Sequence, residues 1–486
     1  MEDTGRINRT ISEELQKIIY GENSNAGIED ELKYVVKIDK AHILMLHRQN
    51  YLTKEQTQNL LQEIEKLEKC KFNPLRNKST PRGIYFLYED YLREKLGDGT
   101  GGMLQFGRSR NDLKATVLKL RIREPYLLCI DKLIELINLL IVKSEEYYDV
   151  IMPIYTHYQP ALPITYGHYL EAIAEEFINI TESFLMNSEI DKSPLGAGAA
   201  GGTTIRIDTK YTAQLLGFDN EVNNSIIGVA SRKIIQDFLL YLVEIESLVS
   251  RCCEDYLLWT SSDLKFVELP DELVGGSSMM PNKRNAFLFE NIRGKCSHAL
   301  GGLVAAVTAM KGEPFTNSIA VGTEAVSYIW DSFNNTYNIL VIIKEIISKA
   351  KPVRKSMYMK NEEGYTLATE YANYLTLKYK ISFRSAHKII GSLVKESINT
   401  GVKLEVLIAD WIRKEIGLES EVKLDITTLV KNTNYGWGPG EKSFNNIRKN
   451  NHTRLVDLRN MRDKRLTDWQ ESDRLLLHEM ETVRGA

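Results

Sequence analysis

The sequence predicts an all-α fold built around a bundle of long helices, and three observations carry that expectation. No proline falls between residues 195 and 269, and no glycine between residues 229 and 274. Through IIQDFLLYLVEIESLVSRCCEDYLLW the apolar residues recur at three- and four-residue spacing. That is the period of a helix with one buried face, and it runs for about 30 residues, roughly 45 Å. Strand-like alternation is rare along the chain.

The same period recurs over residues 126–148, 170–189, 285–310 and 324–350. Five helices of such length each need a partner for their apolar stripe, which predicts a central bundle. Residues 1–114 hold shorter helical patterns, among them LTKEQTQNLLQEIEKLEK, whose Thr53 and Gln56 make a capping box. Beyond about residue 360 the periods shorten again around Gly364, Gly391 and Gly401. A chain of 486 residues is too long for one core. The expected organisation is an N-terminal helical domain over 1–114, a long-helix bundle over 115–359, and a C-terminal helical domain with a polar tail over 360–486. The basic cluster over 442–465 reads as a solvated face, because acidic residues interrupt it and no repeated exposed aromatics accompany it.

With 43% hydrophobic and 26% charged residues, the composition is that of a globular protein and not of a disordered one. A net charge of −3 gives no general attraction to nucleic acid or to anionic membranes. The cysteines (Cys70, Cys129, Cys252, Cys253, Cys296) are odd in number and lack metal-ligand spacing, so they are expected as reduced thiols. The opening MEDTGRINRT has no apolar segment of the secretory kind, so a cytoplasmic protein is expected, with neither membrane nor nucleic acid as partner.

Gly196, Gly198 and Gly201 match the dinucleotide-binding G-x-G-x-x-G by spacing. That use needs a buried strand to deliver the turn, whereas the residues upstream are helical and end in Lys192-Ser193-Pro194. A tight, glycine-permitted loop against a helix end is expected instead.

Three stretches place chemically capable residues between the long helices. In GGMLQFGRSRND (101–112), Arg108 and Arg110 offer planar donor forks suited to carboxylates, and Ser109 and Asn111 add neutral donors. A salt-bridged domain junction would use the same residues. In THYQPALPITYGHY (156–169), His157 is a candidate base, although a lone histidine beside a loop is commonly structural. GGSSMMPNKRN (275–285) can present several backbone N–H donors, with Lys283 and Asn285 where a following helix favours an anion. A plain loop with a helix cap would look alike.

Together the three stretches resemble the argininosuccinate lyase family of the aspartase/fumarase superfamily. That family carries G-R-S-R-N-D, T-H-x-Q-P-A-x-P-I-T and G-S-S-x-M-P-x-K-x-N in this order. SPLGAGAAGGTTIRID (193–208), ATEYANYLTLKYKISFRSAHKIIG (368–391) and VVKIDKAHILML (35–46) extend the likeness over residues 20 to 400. The resemblance implies three helical domains, a homotetramer pooling its long helices, and active sites drawing the three stretches from three subunits. It also implies β-elimination of fumarate from a succinyl-substituted amine, without metal or cofactor. By resemblance Ser277 is the proton-abstracting base, and His157 pairs with Glu290 to assist the departing nitrogen. Lys283, Asn285 and the N–H groups around Ser278 meet the charge developing on the carboxylate. Ser109, Arg110, Asn111, Thr156, Gln159 and Ser24 belong to substrate binding.

The chain departs from the family where that family reads arginine. In KGEPFTNSIAVGTEA (311–325), Asn317, Gly322 and Ala325 stand where the family has tyrosine, glutamine and lysine. Gln105 replaces a histidine, Gly83 and Tyr85 an aspartate and a histidine, and Ile28 an acid that follows Ser24. The succinyl half is thus expected to be intact and the leaving-group half rebuilt. Argininosuccinate lyase proper, and a catalytically silent structural or partner-binding paralogue, are the competing expectations.

Overall fold

The computed structural model describes residues 11–20, 27–78 and 83–485, so Ser24 lies outside the described residues. The described residues are 70% helical, as the periodicity predicts. The first part contains α1 (Glu13–Tyr20), α2 (Ile28–Arg48), α3 (Lys54–Lys69), α4 (Ile84–Leu96) and the single turn α5 (Asp98–Gly101). The Thr53–Gln56 capping box opens α3, with Thr53 Oγ1 accepting the Gln56 N–H at 3.2 Å and Gln56 Oε1 accepting the Thr53 N–H at 3.0 Å. Ile28 is buried at the start of α2, so an apolar contact occupies the position where the family carries an acid.

The bundle starts with α6 (Arg110–Glu146), whose 37 residues make a rod about 55 Å long. At its far end the antiparallel strands β1 (Ile151–Thr156) and β2 (Gln159–Thr165) form a hairpin that sequence alternation did not announce. Prolines at 153, 160 and 163 mask its pattern. The chain returns along α7 (Tyr166–Met186) to the start of α6. There the two-residue β3 (Lys192–Ser193) pairs with β4 (Asn220–Glu221) around α8 (Thr209–Leu215). After α9 (Ser225–Ala230), α10 (Lys233–Thr260) runs back up, followed by β5 (Val267–Glu268).

The helix expected over 285–310 is in fact two, α11 (Phe287–Lys295) and α12 (His298–Lys311). Buried Glu246 causes the break. Its carboxylate accepts the Ala299 N–H at 3.1 Å and bonds to Asn335 and Thr336, while Asn335 donates to the free carbonyl of Lys295 at 2.9 Å. Both helix ends are thereby satisfied inside the core. A π-helical turn over Ala320–Glu324 then leads into α13 (Ala325–Lys349), and β6 (Lys351–Pro352) closes on β5.

Five helices, α14 (Arg354–Glu363), α15 (Ala368–Tyr379), α16 (Phe383–Thr400), α17 (Leu404–Ile416) and α18 (Ile426–Asn432), precede α19 (Glu441–Arg484). Leu375, Ile390, Ile408 and Val430 bury a separate small core among them. The polar tail read as a solvated face is the 44-residue α19. Its Leu455, Leu458 and Trp469 enter the bundle core, and Leu476 and Met480 complete the core around α2 and α3. Most of its arginines are paired, among them Arg454 with Glu182, Arg462 with Asp131, Arg465 with Asp191 and Arg484 with Glu65. No helix among the described residues is long and apolar enough to cross a membrane.

Candidate active site

The first stretch is fixed by Asp112. Ser109 caps α6, its Oγ accepting the Asn111 N–H at 3.3 Å, while Asp112 Oδ1 accepts the Ser109 N–H at 3.0 Å. Asp112 Oδ2 accepts the N–H groups of Gly196 and Gly198, both at 3.0 Å. The glycine loop that mimics a dinucleotide motif therefore cradles a carboxylate of its own chain, with Gly196 and Gly198 at φ 100° and 61°. Burial pushes the Asp112 carboxyl up, and these three amides oppose the shift. Arg110 and Asn111 consequently stand on the first turn of a very long helix, where unpaired N–H groups favour an anion. Arg110 lies 4.1 Å over the Phe86 ring. Asn317 Nδ2 donates to Asn111 Oδ1 at 3.1 Å, a contact between residues some 200 positions apart that no local pattern announces.

Of the two uses open to Arg108, a fork for a carboxylate or part of a salt-bridged junction, the structure shows the second. Its side chain is buried in an ion pair with Asp39 and also donates to the Tyr85 hydroxyl at 3.3 Å. Tyr85, one of the departures from the family pattern, is thus part of the packing that holds Arg108.

The second stretch is the β1–β2 hairpin. Thr156 pairs with Gln159, leaving His157 and Tyr158 as a two-residue turn with φ of 52° and 58°. This is the backbone of a type I′ turn, normally the place of Asn-Gly, and it puts an imidazole on the exposed tip of a twisted ribbon. Side chains other than glycine held in this region cost about 1 kcal/mol each, the kind of local strain found at functional positions.

The third stretch is a closed loop. Gly275 and Asn285 exchange both backbone hydrogen bonds at 2.8 Å, pinching its base. Within it the Ser277 Oγ accepts N–H groups from Met279 at 3.3 Å and Met280 at 3.0 Å, an arrangement that favours an alkoxide. Ser278 and Lys283 are exposed, and Met279 is 87% exposed. Asn285 Nδ2 donates to the Gly276 carbonyl at 3.4 Å, and Glu290 lies exposed on α11.

One chain does not unite these groups. Arg110 and Asn111 are at one end of α6 and the hairpin with Thr156, His157 and Gln159 is past the other, about 55 Å away. The Ser277 loop follows the upper end of α10, remote from Asn111. Among the described residues no hydrogen bond or ion pair joins His157 to Ser277, Lys283 or Glu290.

Comparison with known proteins gives the family. Residues 15–301 match the family described as "Lyase", and residues 365–431 match "Argininosuccinate lyase C-terminal". The chain is 30% identical over 413 residues to argininosuccinate lyase 1 of Shouchella clausii, covering 85% of this chain and 83% of that protein. It is 35% identical over 428 residues to the argininosuccinate lyase of Caldanaerobacter subterraneus subsp. tengcongensis, covering 87% and 96%. A variant of EDDS lyase solved with bound fumarate superposes with a TM-score of 0.83 at 25% identity, over 98% of this chain and 96% of that one. This chain belongs to the argininosuccinate lyase family of the aspartase/fumarase superfamily and is a fumarate-forming carbon–nitrogen lyase.

Proposed function

We propose that the protein releases fumarate from an N-substituted aspartate other than argininosuccinate, in a homotetramer whose sites are shared between subunits. One observation carries the choice of substrate. Of the positions that would read arginine, Asn317 is turned onto Asn111, Gly322 has no side chain, and Ala325 is buried in the bundle. Only the neutral amide oxygen of Asn317 is left to meet a guanidinium, and a charged group without its full set of partners costs roughly 1 to 3 kcal/mol.

The proposed chemistry follows from the loop. Ser277, whose Oγ accepts the Met279 and Met280 amides, takes the proton from the carbon beside the carboxylate once the loop closes and excludes water. Lys283 and Asn285 stabilise the second negative charge this builds. The electron pair forms the C=C bond, the C–N electrons leave with nitrogen, and His157, paired with Glu290 across subunits, assists its protonation. Ser109, Arg110, Asn111, Thr156, Gln159 and Ser278 hold the succinyl carboxylates.

Two features support the assembly. The α6 rod keeps the first and second stretches of one chain apart, so only neighbouring copies can bring them together. In addition α12 exposes Leu300, Val304 and Val307 along one face, an apolar stripe suited to pairing with another helix. Fumarate release from argininosuccinate, followed by absorbance, tests the substrate choice: a normal turnover rate would restore argininosuccinate as the substrate.

A further inference from the structure

Between α14, α15, the turn from α16 into α17 and the segment leading into α18 lies a cavity of about 580 Å³, the size of a small-molecule site. Buried Leu404 and Val422 form part of its apolar wall. Three phenol rings, those of Tyr358, Tyr365 and Tyr371, add to it. Two of them are tied down. Tyr371 donates to Glu405 Oε1 at 2.7 Å, and Ser397 Oγ accepts from Tyr365 at 3.1 Å while donating to the Val402 carbonyl at 2.6 Å. The wall is therefore set before anything enters.

Its charge is one-sided. Glu362, Glu405, Glu421 and Asp425 line the cavity against Lys403 and Lys423. Among the described residues no ion pair engages any of these six groups, and the pairs of this domain lie elsewhere, Lys360 with Glu363 and Arg413 with Asp410. Asp425 caps α18, accepting the Thr428 N–H at 2.7 Å. Burial, with Glu362 and Asp425 facing it, pushes the Tyr358 phenol up, so two of the carboxylates converge on one ring. Acids on an open helix face need only water. Here they share a hollow with three phenols, where an ammonium ion gains from the carboxylates and from the ring faces together.

The same wall bears on the hairpin. α14 supplies Tyr358 and Glu362 and packs on β1 and β2, and Ile151 of β1 belongs to the small C-terminal core. The approach is closest just past α14, where a Cβ placed on Gly364 would lie 2.6 Å from Pro160 Cγ. Pro160 pairs with Tyr155 in the ribbon that ends in the His157–Tyr158 turn.

We propose that this cavity is an effector site for an organic ammonium ion, and that its occupation steadies α14 and, through Gly364 against Pro160, the hairpin of His157. Only the consequence for turnover rests on the elimination reading: a steadier hairpin raises kcat/KM for that reaction.

Choline is the probe, because a quaternary nitrogen carries no hydrogen and cannot be consumed as an amine. Dimethylbutanol, which has carbon in place of that nitrogen, is the uncharged control. Calorimetry on the intact chain should show choline binding about tenfold or more tighter than the alcohol. Glu362 and Glu421 are exposed, so the double variant Glu362→Gln, Glu421→Gln keeps the fold, and its preference should fall to about twofold or less. Choline should also slow amide hydrogen exchange over residues 151–165 about threefold in the wild type and not in the variant. No binding of choline, equal binding of choline and the alcohol, or an undiminished preference in the variant overturns the site. Binding that leaves exchange in the hairpin unchanged overturns the coupling, and binding that leaves fumarate release unchanged removes the effector role. If fumarate is released from no N-substituted aspartate, the elimination reading falls, while calorimetry and exchange still decide the site.

Discussion

Asn317 Nδ2 donates to Asn111 Oδ1 at 3.1 Å, so a residue from the turn after α12 holds a residue on the first turn of α6. Both amides are half-buried, and the bond fixes which face Asn111 presents to a ligand. In the function proposed above, one position that would touch the leaving group instead orients the succinyl side.

Asn317→Ala removes that donor and frees Asn111 to rotate. A neutral hydrogen bond contributes about 1 kcal/mol, so KM for fumarate in the amination direction should rise about fivefold, with kcat changing less. Steady-state kinetics on the variant check this, and an unchanged KM would show that Asn111 is oriented by something else.

Asp112→Ala should be far more damaging. It leaves the amides of Ser109, Gly196 and Gly198 without their acceptor in a buried place, at about 3 kcal/mol. The expected outcome is a melting temperature lowered by several degrees together with loss of turnover, read by calorimetry and by fumarate absorbance.

His157→Asn separates geometry from proton transfer. Asparagine tolerates positive φ, so the turn at 52° and 58° should persist and the melting temperature should hold. Turnover should fall by about a hundredfold or more if the imidazole assists the leaving nitrogen. A variant that keeps wild-type kcat removes His157 from the chemistry.

Mixing two inactive variants tests the shared site. Ser277→Ala and His157→Asn carry lesions on different stretches, which α6 and α10 hold apart from Asn111 in each chain. Co-refolded mixed assemblies then contain some sites with neither lesion, and activity should reappear in the mixture. Sites built within one chain would stay silent.

Lys119 gives the protein a stability that rises in alkali. Burial lowers its pKa from 10.5 to about 8, so between these values the unfolded chain holds a proton that the native one has released. The native state is favoured as pH climbs through that window, by up to roughly 3 kcal/mol. Lys119→Met removes this contribution, and the wild-type gain in melting temperature between pH 7.5 and 10, relative to the variant, should disappear.

The long helices were legible because an apolar period of 3.6 over 20 or more residues has few other uses. The α11–α12 break was not, since Glu246 and Asn335 act from α10 and α13, 40 residues or more away in sequence. Nor was α19, whose sparse stripe of Leu455, Leu458, Trp469 and Leu476 sits among ion-paired arginines that composition alone reads as solvated. For the proposed site, Arg110, Asn111 and His157 stood out as candidates by residue type, and Ser277 by the resemblance to the family alone. For Arg108 the sequence left a carboxylate fork and a salt-bridged junction open, and only its burial against Asp39 decides for the junction.

The last helix also sets when the protein can finish folding. Leu476 and Met480 pack beside residues as early as Ile28 and Leu32, Tyr211 donates to Glu479 at 2.8 Å, and Gln58 reaches the Val483 carbonyl at 3.0 Å. The core around α2 and α3 must wait, with part of its apolar surface uncovered, for the end of α19, more than 400 residues later in the chain, to be made. Loss of the last turns of α19 would unsettle a segment at the other end of the sequence.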